Sequence, residues 1–482
     1  MDTRGSRVEN LSKAIASGLF FVAIGRLADV GFFYLLFVKF NVESVGTFNF
    51  AMAIAAFFGA LVDFGFNQVF TREFSAGTLT FKRAFTFAVS IRLPIIFLSS
   101  LIYVAWINFQ NLKSELYSVV GIALLIQLMI VSENTVQSWL RGNKRQTVAN
   151  SLSVLDPVAR LSVLMFLSFV GLEFSLTQML VVVLILHVLI VCAHLQSAYR
   201  FGALSNFEKK SDTLTNSSLI SSGAGFLCIS IISIMQNRAD WIILSLSVGV
   251  EELAHYSLAN KLYEIVIMIL GVIATALFPF MSSRNYGKYV NFKIGYFKKI
   301  IIFTGLTASC CMALLGPELI GFFLGNRYIE STDLIRVLVP LAGVSCVALV
   351  RYYEIASCGH ERKLLKYSVI ATLLQLVVNS LLIPTNGPYG AVFGMVVMVV
   401  LTTFMYTRFS LRKNFIKKNE VSREIFFIVL ILACYILLIM VEISALFATL
   451  LIALTGVTGA YFVLLSRRHK RFTVVGISRV LR

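Results

Sequence analysis

Thirteen ionisable residues fall inside long apolar runs of this chain: Arg26, Asp29, Asp63, Arg92, Glu133, Asp156, Arg160, Arg238, Asp240, Lys261, Glu264, Arg351 and Glu354. A charge at the centre of a membrane-spanning helix costs about 2.5–3.5 kcal/mol even on a lenient insertion scale, so such residues face a bundle interior or water and are functional candidates. Their spacing sorts them. Arg26/Asp29, Lys261/Glu264 and Arg351/Glu354 are spaced i,i+3 and Asp156/Arg160 i,i+4, so each pair shares a helix face and can neutralise itself. A self-paired couple of this kind serves helix packing as readily as binding. Arg238 and Asp240 are i,i+2, point apart, and must find partners elsewhere. Arg92 has no carboxylate on its own face within one turn.

Two kinds of chemistry follow. A guanidinium matches phosphate geometry, so Arg26, Arg92 and Arg238 are candidates to hold an anionic group. The acidic side has a surplus. In the first half Arg26, Arg92 and Arg160 stand against Asp29, Asp63, Glu133 and Asp156, which leaves Arg92 to serve both Asp63 and Glu133. One arginine cannot fully neutralise two carboxylates, so Asp63 or Glu133 could take up a proton or sodium ion in one conformation and release it in another. The bland alternative is that water or the second half of the chain supplies the missing partner.

Other chemistries find little support. His187 and His194 are seven apart and share a helix face, but no third ligand lies near, so they read as packing or cavity lining and not as a metal site. The seven cysteines are odd in number, lack any C-x-x-C and mostly sit in apolar runs, as small packing residues do. There is no G-x-S-x-G, no P-loop and no paired Cys/His ligand set. The chain is expected to be neither an enzyme nor a metalloprotein, and to need no cofactor.

These residues must be positioned by membrane helices. Of 482 residues, 58% are hydrophobic and 14% charged, with mean hydropathy +0.85. Soluble domains carry about 25% charged residues, so the composition points to an all-α polytopic membrane protein. A span needs about 20 apolar residues. Fourteen runs qualify, near 11–38, 46–70, 84–106, 116–139, 148–171, 175–198, 219–248, 254–281, 296–324, 332–357, 364–383, 388–411, 423–443 and 445–465. The polar, basic start of the chain is read as a retained cytoplasmic tail.

The formal net charge of +18 would suit a nucleic-acid binder, but its distribution says otherwise. Four of the 42 Lys and Arg residues fall in outer segments (Lys39, Lys113, Arg327, Arg336), six lie within spans, and the remaining 32 fall in inner segments when the N-terminus is placed in the cytoplasm. That asymmetry is an orientation signal, with both termini and the linker 201–218 inside. The basic tail 467–482 could also meet anionic lipid headgroups.

The chain also repeats itself. "VESVGTFNFA" (42–51) and "VEELAHYSLA" (250–259) each join a first span to a second, and "RGNKR" (141–145) and "CGHER" (358–362) each join a fourth to a fifth. The simplest account is two pseudo-symmetric six-helix bundles, 1–200 and 219–412, joined by the linker 201–218. Two extra helices and a tail occupy 413–482. Parallel repeats of this kind are a transporter architecture with the substrate site between the halves.

Three segments carry a resemblance: "VGTFNFAMAIAAFFGALVDFGFNQVFTRE" (45–73), "NRADWIILSLSVGVEELAHYSLANKLYE" (237–264) and "LLIPTNGPYGAVFGMVVMVV" (381–400), the last with Pro, Gly and Gly-Ala at the turn between spans eleven and twelve. In order and spacing the chain resembles the multidrug/oligosaccharidyl-lipid/polysaccharide flippase superfamily, most closely its bacterial O-antigen and polysaccharide exporter branch. The resemblance implies two bundles around a central cavity, two extra helices and alternating access in the bacterial inner membrane. It also implies that a polyprenyl-diphosphate-linked oligosaccharide is moved from the cytoplasmic to the periplasmic leaflet, with polysaccharide-assembly proteins as further partners. By position Arg26, Asp29, Arg92, Arg238, Asp240 and Lys261 would fall among the charged cavity residues, with Arg351 beside them. Within the superfamily the alternatives are a drug or small-cation extruder, disfavoured by six intramembrane basic residues, and a peptidoglycan-precursor flippase. Outside it stands a polytopic glycosyltransferase or polymerase, which would need a longer outer loop than any visible here.

Overall fold

In lipid, a backbone with no water to bond must satisfy its N–H and C=O groups within the segment, so long apolar runs become helices. The computed structural model follows this rule and describes residues 3–110, 114–143, 145–171, 173–202, 215–282, 288–413, 415–441 and 445–464. Residues 203–214 of the expected linker, Lys113 and the basic tail lie outside the described residues. Two compact units divide the chain, Met1–Ala254 and His255–Arg482.

The first unit holds α1 (Thr3–Lys39), α2 (Val42–Asp63), α3 (Phe66–Ala76), α4 (Phe81–Gln110), α5 (Ser114–Gly142), α6 (Gln146–Ser153), α7 (Leu155–Val170), α8 (Leu176–Arg200) and α9 (Asn216–Ser247). The boundary falls just inside α10 (Val250–Ser282). The second unit continues with α11 (Lys288–Leu324), α12 (Ser331–Leu338), α13 (Leu341–Ser357), α14 (Glu361–Asn386), α15 (Pro388–Arg412), α16 (Lys418–Met440) and α17 (Ala445–Leu464). Helix α9, which the repeat places at the head of the second bundle, packs on α2 and α3 in the first unit.

Eleven helical segments among the described residues are long and apolar enough to cross a membrane. Helices α4, α10 and α17 occupy the three remaining expected runs. Large apolar side chains such as Phe169, Phe322 and Leu27 point outward, as lipid contact requires. The protein is an all-α, multi-pass membrane protein.

Three of the expected runs are broken, 332–357 among them at Val339 and Pro340, between α12 and α13. The run 46–70 is interrupted at Phe64 and Gly65, both left-handed with φ of 52° and 71°. Gly65 is required twice over. Its φ favours glycine, and a Cβ there would lie 2.5 Å from Phe226 Cβ and 2.7 Å from the Gly223 carbonyl on α9. The run 148–171 breaks at Val154, because the Pro157 ring would clash with the Ser153 carbonyl four residues back, while a proline is tolerated in the first turn of α7. Other ends follow their caps: Asn41 Oδ1 accepts from the Ser44 N–H at the start of α2, and Ser175 and Gln178 form a reciprocal capping box on α8. An aromatic core of Phe66, Phe70, Phe74, Phe81, Phe87 and Trp139 holds α3, α4 and α5 together.

Candidate functional site

The break after α2 has a consequence for polarity. Asp63 ends α2, and Asn67, Gln68 and Thr71 follow within two turns on α3, so the interruption gathers side chains that an unbroken apolar helix would not carry together. Across from them α5 presents Gln127, Val131, Asn134, Ser138 and Arg141, spaced 4, 3, 4, 3 and therefore on one face. With Ser230 and Ile234 of α9 they line an open cavity of about 650 Å³. At 1.5 Å per residue, the stripe from Gln127 to Arg141 runs about 21 Å along α5, roughly two-thirds of a hydrocarbon core.

Asp63 Oδ1 accepts from Arg92 Nη2 at 3.1 Å on the cavity wall. Arg92 is only 8% exposed and donates also to Thr135 Oγ1 at 2.7 Å, which in turn bonds Asn67 Oδ1 at 3.2 Å. The Arg92 Nε has no partner among the described residues. Backbone N–H groups of Gly65 and Asn67 also face the Asp63 carboxylate. Arg92 thus serves Asp63 and makes no ion pair with Glu133 among the described residues.

Glu133 belongs to a second cluster. It is 4% exposed, and its Oε1 has no hydrogen-bond partner among the described residues. The charges of His187, Asp156 and Arg160 act on it. Arg160 is the hub: its Nη2 donates to Asp156 Oδ2 at 3.0 Å and to Asp29 Oδ1 at 3.2 Å, so it bridges α7 to α1. His187 Nε2 lies 3.0 Å from Asp156 Oδ1, an ion-pair approach without hydrogen-bond alignment. Arg26 is further out, 56% exposed and 3.8 Å from Asp29. The same-helix spacing therefore finds Asp156/Arg160 but understates Asp29, whose nearer cation comes from another helix.

The remaining candidates are dispersed. The Arg238 guanidinium sits 4.1 Å over the Trp241 ring, and the buried Asp240 accepts from the Trp241 N–H at 2.9 Å. In the second unit Lys261 Nζ pairs with Glu264 at 2.8 Å. Arg351, expected beside the cavity residues, is 2% exposed and bonds both Glu354, at 3.1 Å, and Glu424 of α16. Lys298 of α11 completes that network on Glu354 at 3.0 Å. A guanidinium so enclosed fastens α16 to α11 and α13. Among the described residues no group of three His, Cys, Asp or Glu could hold a metal ion.

The polar stripe on α5 and the residues after the break went unremarked in the sequence because none is charged except Arg141, which reads as part of an inner basic loop. A scan for polar residues at helical spacing within an apolar run would have found the stripe.

The architecture is shared with known transporters. The structure resembles the lipid II flippase MurJ in its inward closed conformation, at 13% identity, covering 93% of this chain and 97% of that one with a TM-score of 0.67. It resembles an outward-facing multidrug resistance MATE family transporter of the MOP superfamily at 16% identity, covering 83% and 95% with a TM-score of 0.54. A MOP superfamily transporter from Pyrococcus furiosus, described by the reverse polarity of its binding pocket, matches at 18% identity, 83% and 96% coverage and a TM-score of 0.55. None of the curated proteins matches the sequence. Identities this low speak for the fold. Residues 11–284, however, match the family described as polysaccharide biosynthesis protein, more than half of the chain and the part that builds the polar cavity. The chain therefore belongs to the family described as polysaccharide biosynthesis protein, and it shares the fold of these lipid II flippase and MATE transporter structures.

Proposed function

We propose that the protein moves a polyprenyl-diphosphate-linked oligosaccharide, such as an O-antigen repeat unit, from the cytoplasmic to the periplasmic leaflet of a bacterial inner membrane. It does so by alternating access and makes or breaks no covalent bond. The observation that carries this reading is the lining of the cavity. Asn67, Gln68, Thr71, Gln127, Asn134, Ser138 and Ser230 supply amides and hydroxyls, the groups that exchange hydrogen bonds with sugar hydroxyls. A volume of about 650 Å³ falls in the usual range of small-ligand sites, about 300–1,000 Å³.

The same lining disfavours a small-cation extruder, because the one carboxylate on the wall among the described residues, Asp63, is already matched by Arg92. A peptidoglycan-precursor flippase would handle a related lipid-linked sugar and stays the nearest alternative. Coupling to a proton or sodium gradient is assigned to Glu133 in preference to Asp63, since Glu133 is buried without a bonded counter-ion and Asp63 has one.

The test compares cells lacking the protein with complemented cells. Surface polysaccharide should be lost and lipid-linked repeat units should accumulate in the inner leaflet. Normal surface polysaccharide with stalled peptidoglycan synthesis would select the alternative.

A further inference from the structure

Among the described residues the cavity wall carries two charged side chains, Asp63 and Arg141. Asp63 is neutralised by Arg92. Arg141 has no carboxylate partner among the described residues, and its one side-chain hydrogen bond there runs from Nη2 to Gln137 Oε1 at 2.8 Å. The cavity thus holds one uncompensated positive charge with guanidinium N–H groups still to be bonded.

That guanidinium is held from behind. Because Gln137 Oε1 accepts from Arg141, its amide nitrogen is the group that faces His194 Nε2, at 3.2 Å. The amide N–H donates, so His194 Nε2 must be the acceptor. His194 Nδ1 then carries the proton and donates to the Ile190 carbonyl at 2.9 Å. Tautomer, amide orientation and guanidinium position determine one another. His194 is fully buried, Gln137 nearly so, and the end of α5 packs closely on α3: a Cβ on Gly142 would lie 2.4 Å from Phe74 Cβ. A basic residue placed only to orient an inner loop or to complement the helix C-terminus would need no such buried support.

We propose that Arg141 is the anion-binding residue of this cavity, with Gln137 and His194 as its positioning residues, and that its ligand is the diphosphate of a lipid-linked sugar. The proposal rests on the flippase reading above. A guanidinium can meet a phosphate with two parallel hydrogen bonds, which an ammonium cannot.

Binding of farnesyl diphosphate, inorganic pyrophosphate and farnesol to the purified full-length protein tests it. Wild type should bind farnesyl diphosphate more tightly than either of the others. Arg141→Gln should weaken that binding by about ten- to a hundredfold, the range for a lost hydrogen bond to a charged group, and Arg141→Lys should lose less. Gln137→Glu, nearly isosteric, should weaken binding as much while leaving the melting temperature close to wild type, because it supplies Arg141 with a carboxylate. His194→Leu should cost several-fold without touching the ligand, and His194→Gln, whose amide oxygen can replace Nε2 as acceptor, should restore most of it. Wild-type affinity in both Arg141→Gln and Gln137→Glu would overturn the proposal and leave the flippase reading standing. Pyrophosphate binding as well as farnesyl diphosphate would make the site one for free anions and overturn the ligand assignment. A wild type that binds farnesol and farnesyl diphosphate equally would overturn both readings.

Discussion

Removing Asp63 should damage the protein more than removing its partner Arg92, although the two form one pair. The asymmetry comes from where each charge is left. Arg92 lies behind the cavity wall at 8% exposure with its Nε already unbonded, so Asp63→Asn strands a buried cation. Breaking a buried pair in this way costs about 3–5 kcal/mol. Asp63 lines the cavity, so in Arg92→Met its carboxylate rehydrates, and the loss is the low end for a hydrogen bond to a charged group, about 1.5 kcal/mol. Combining Asp63→Asn with Arg92→Met removes the stranded charge and should recover at least half of the loss seen in Asp63→Asn alone. Thermal unfolding in detergent, followed by tryptophan fluorescence to which the buried Trp139 contributes, reads the difference, with all variants scanned at one rate. Equal losses in the two single variants, or a double variant no better than Asp63→Asn, would mean that the stranded Arg92 charge is not what costs stability.

Glu424→Gln should destabilise the second unit by about 3–5 kcal/mol by uncovering Arg351, whereas Arg351→Met with Glu424→Leu should come within about 1 kcal/mol of wild type and leave the Lys298–Glu354 pair intact, both read by thermal unfolding. Gly65→Ala and Gly171→Ala impose the same left-handed strain of about 1–2 kcal/mol, but only at Gly65 would the added Cβ meet Phe226 and Gly223, so Gly65→Ala should be much the more damaging in expression and melting temperature. Glu133→Gln should abolish the response of reconstituted transport to a proton or sodium gradient while leaving downhill exchange; an unchanged gradient response would remove Glu133 as the coupling site.

Much of the architecture is legible in the sequence because the bilayer admits few solutions. Runs of about 20 apolar residues become helices, and the charged residues within them announce themselves. The interruptions are less evenly marked: Pro157 announces the one before α7, but no proline announces the one after α2. There Phe64, between Asp63 and Gly65, turns left-handed where the chain comes close to Gly223 and Phe226 of α9. Same-helix spacing identifies Asp156/Arg160 and Arg351/Glu354, but it cannot supply partners from other helices, so the Arg160–Asp29 and Arg351–Glu424 pairs emerge only in three dimensions. His187, read as packing or lining, proves to stand against Asp156. Arg141 was hidden for a different reason: at the end of a span, an arginine looks like every other orientation signal.

On the function proposed above, a lipid-linked oligosaccharide crosses the membrane through this protein. The most direct measurement of that crossing is the leaflet distribution of a fluorescent polyprenyl-diphosphate oligosaccharide in proteoliposomes, read by quenching from a membrane-impermeant reagent. The protein should bring the inner-leaflet lipid to the quencher, at a rate that falls in Arg141→Gln and is unaffected by cationic drugs. An inner-leaflet pool that stays protected from the quencher, alongside drug efflux by the same vesicles, would contradict it.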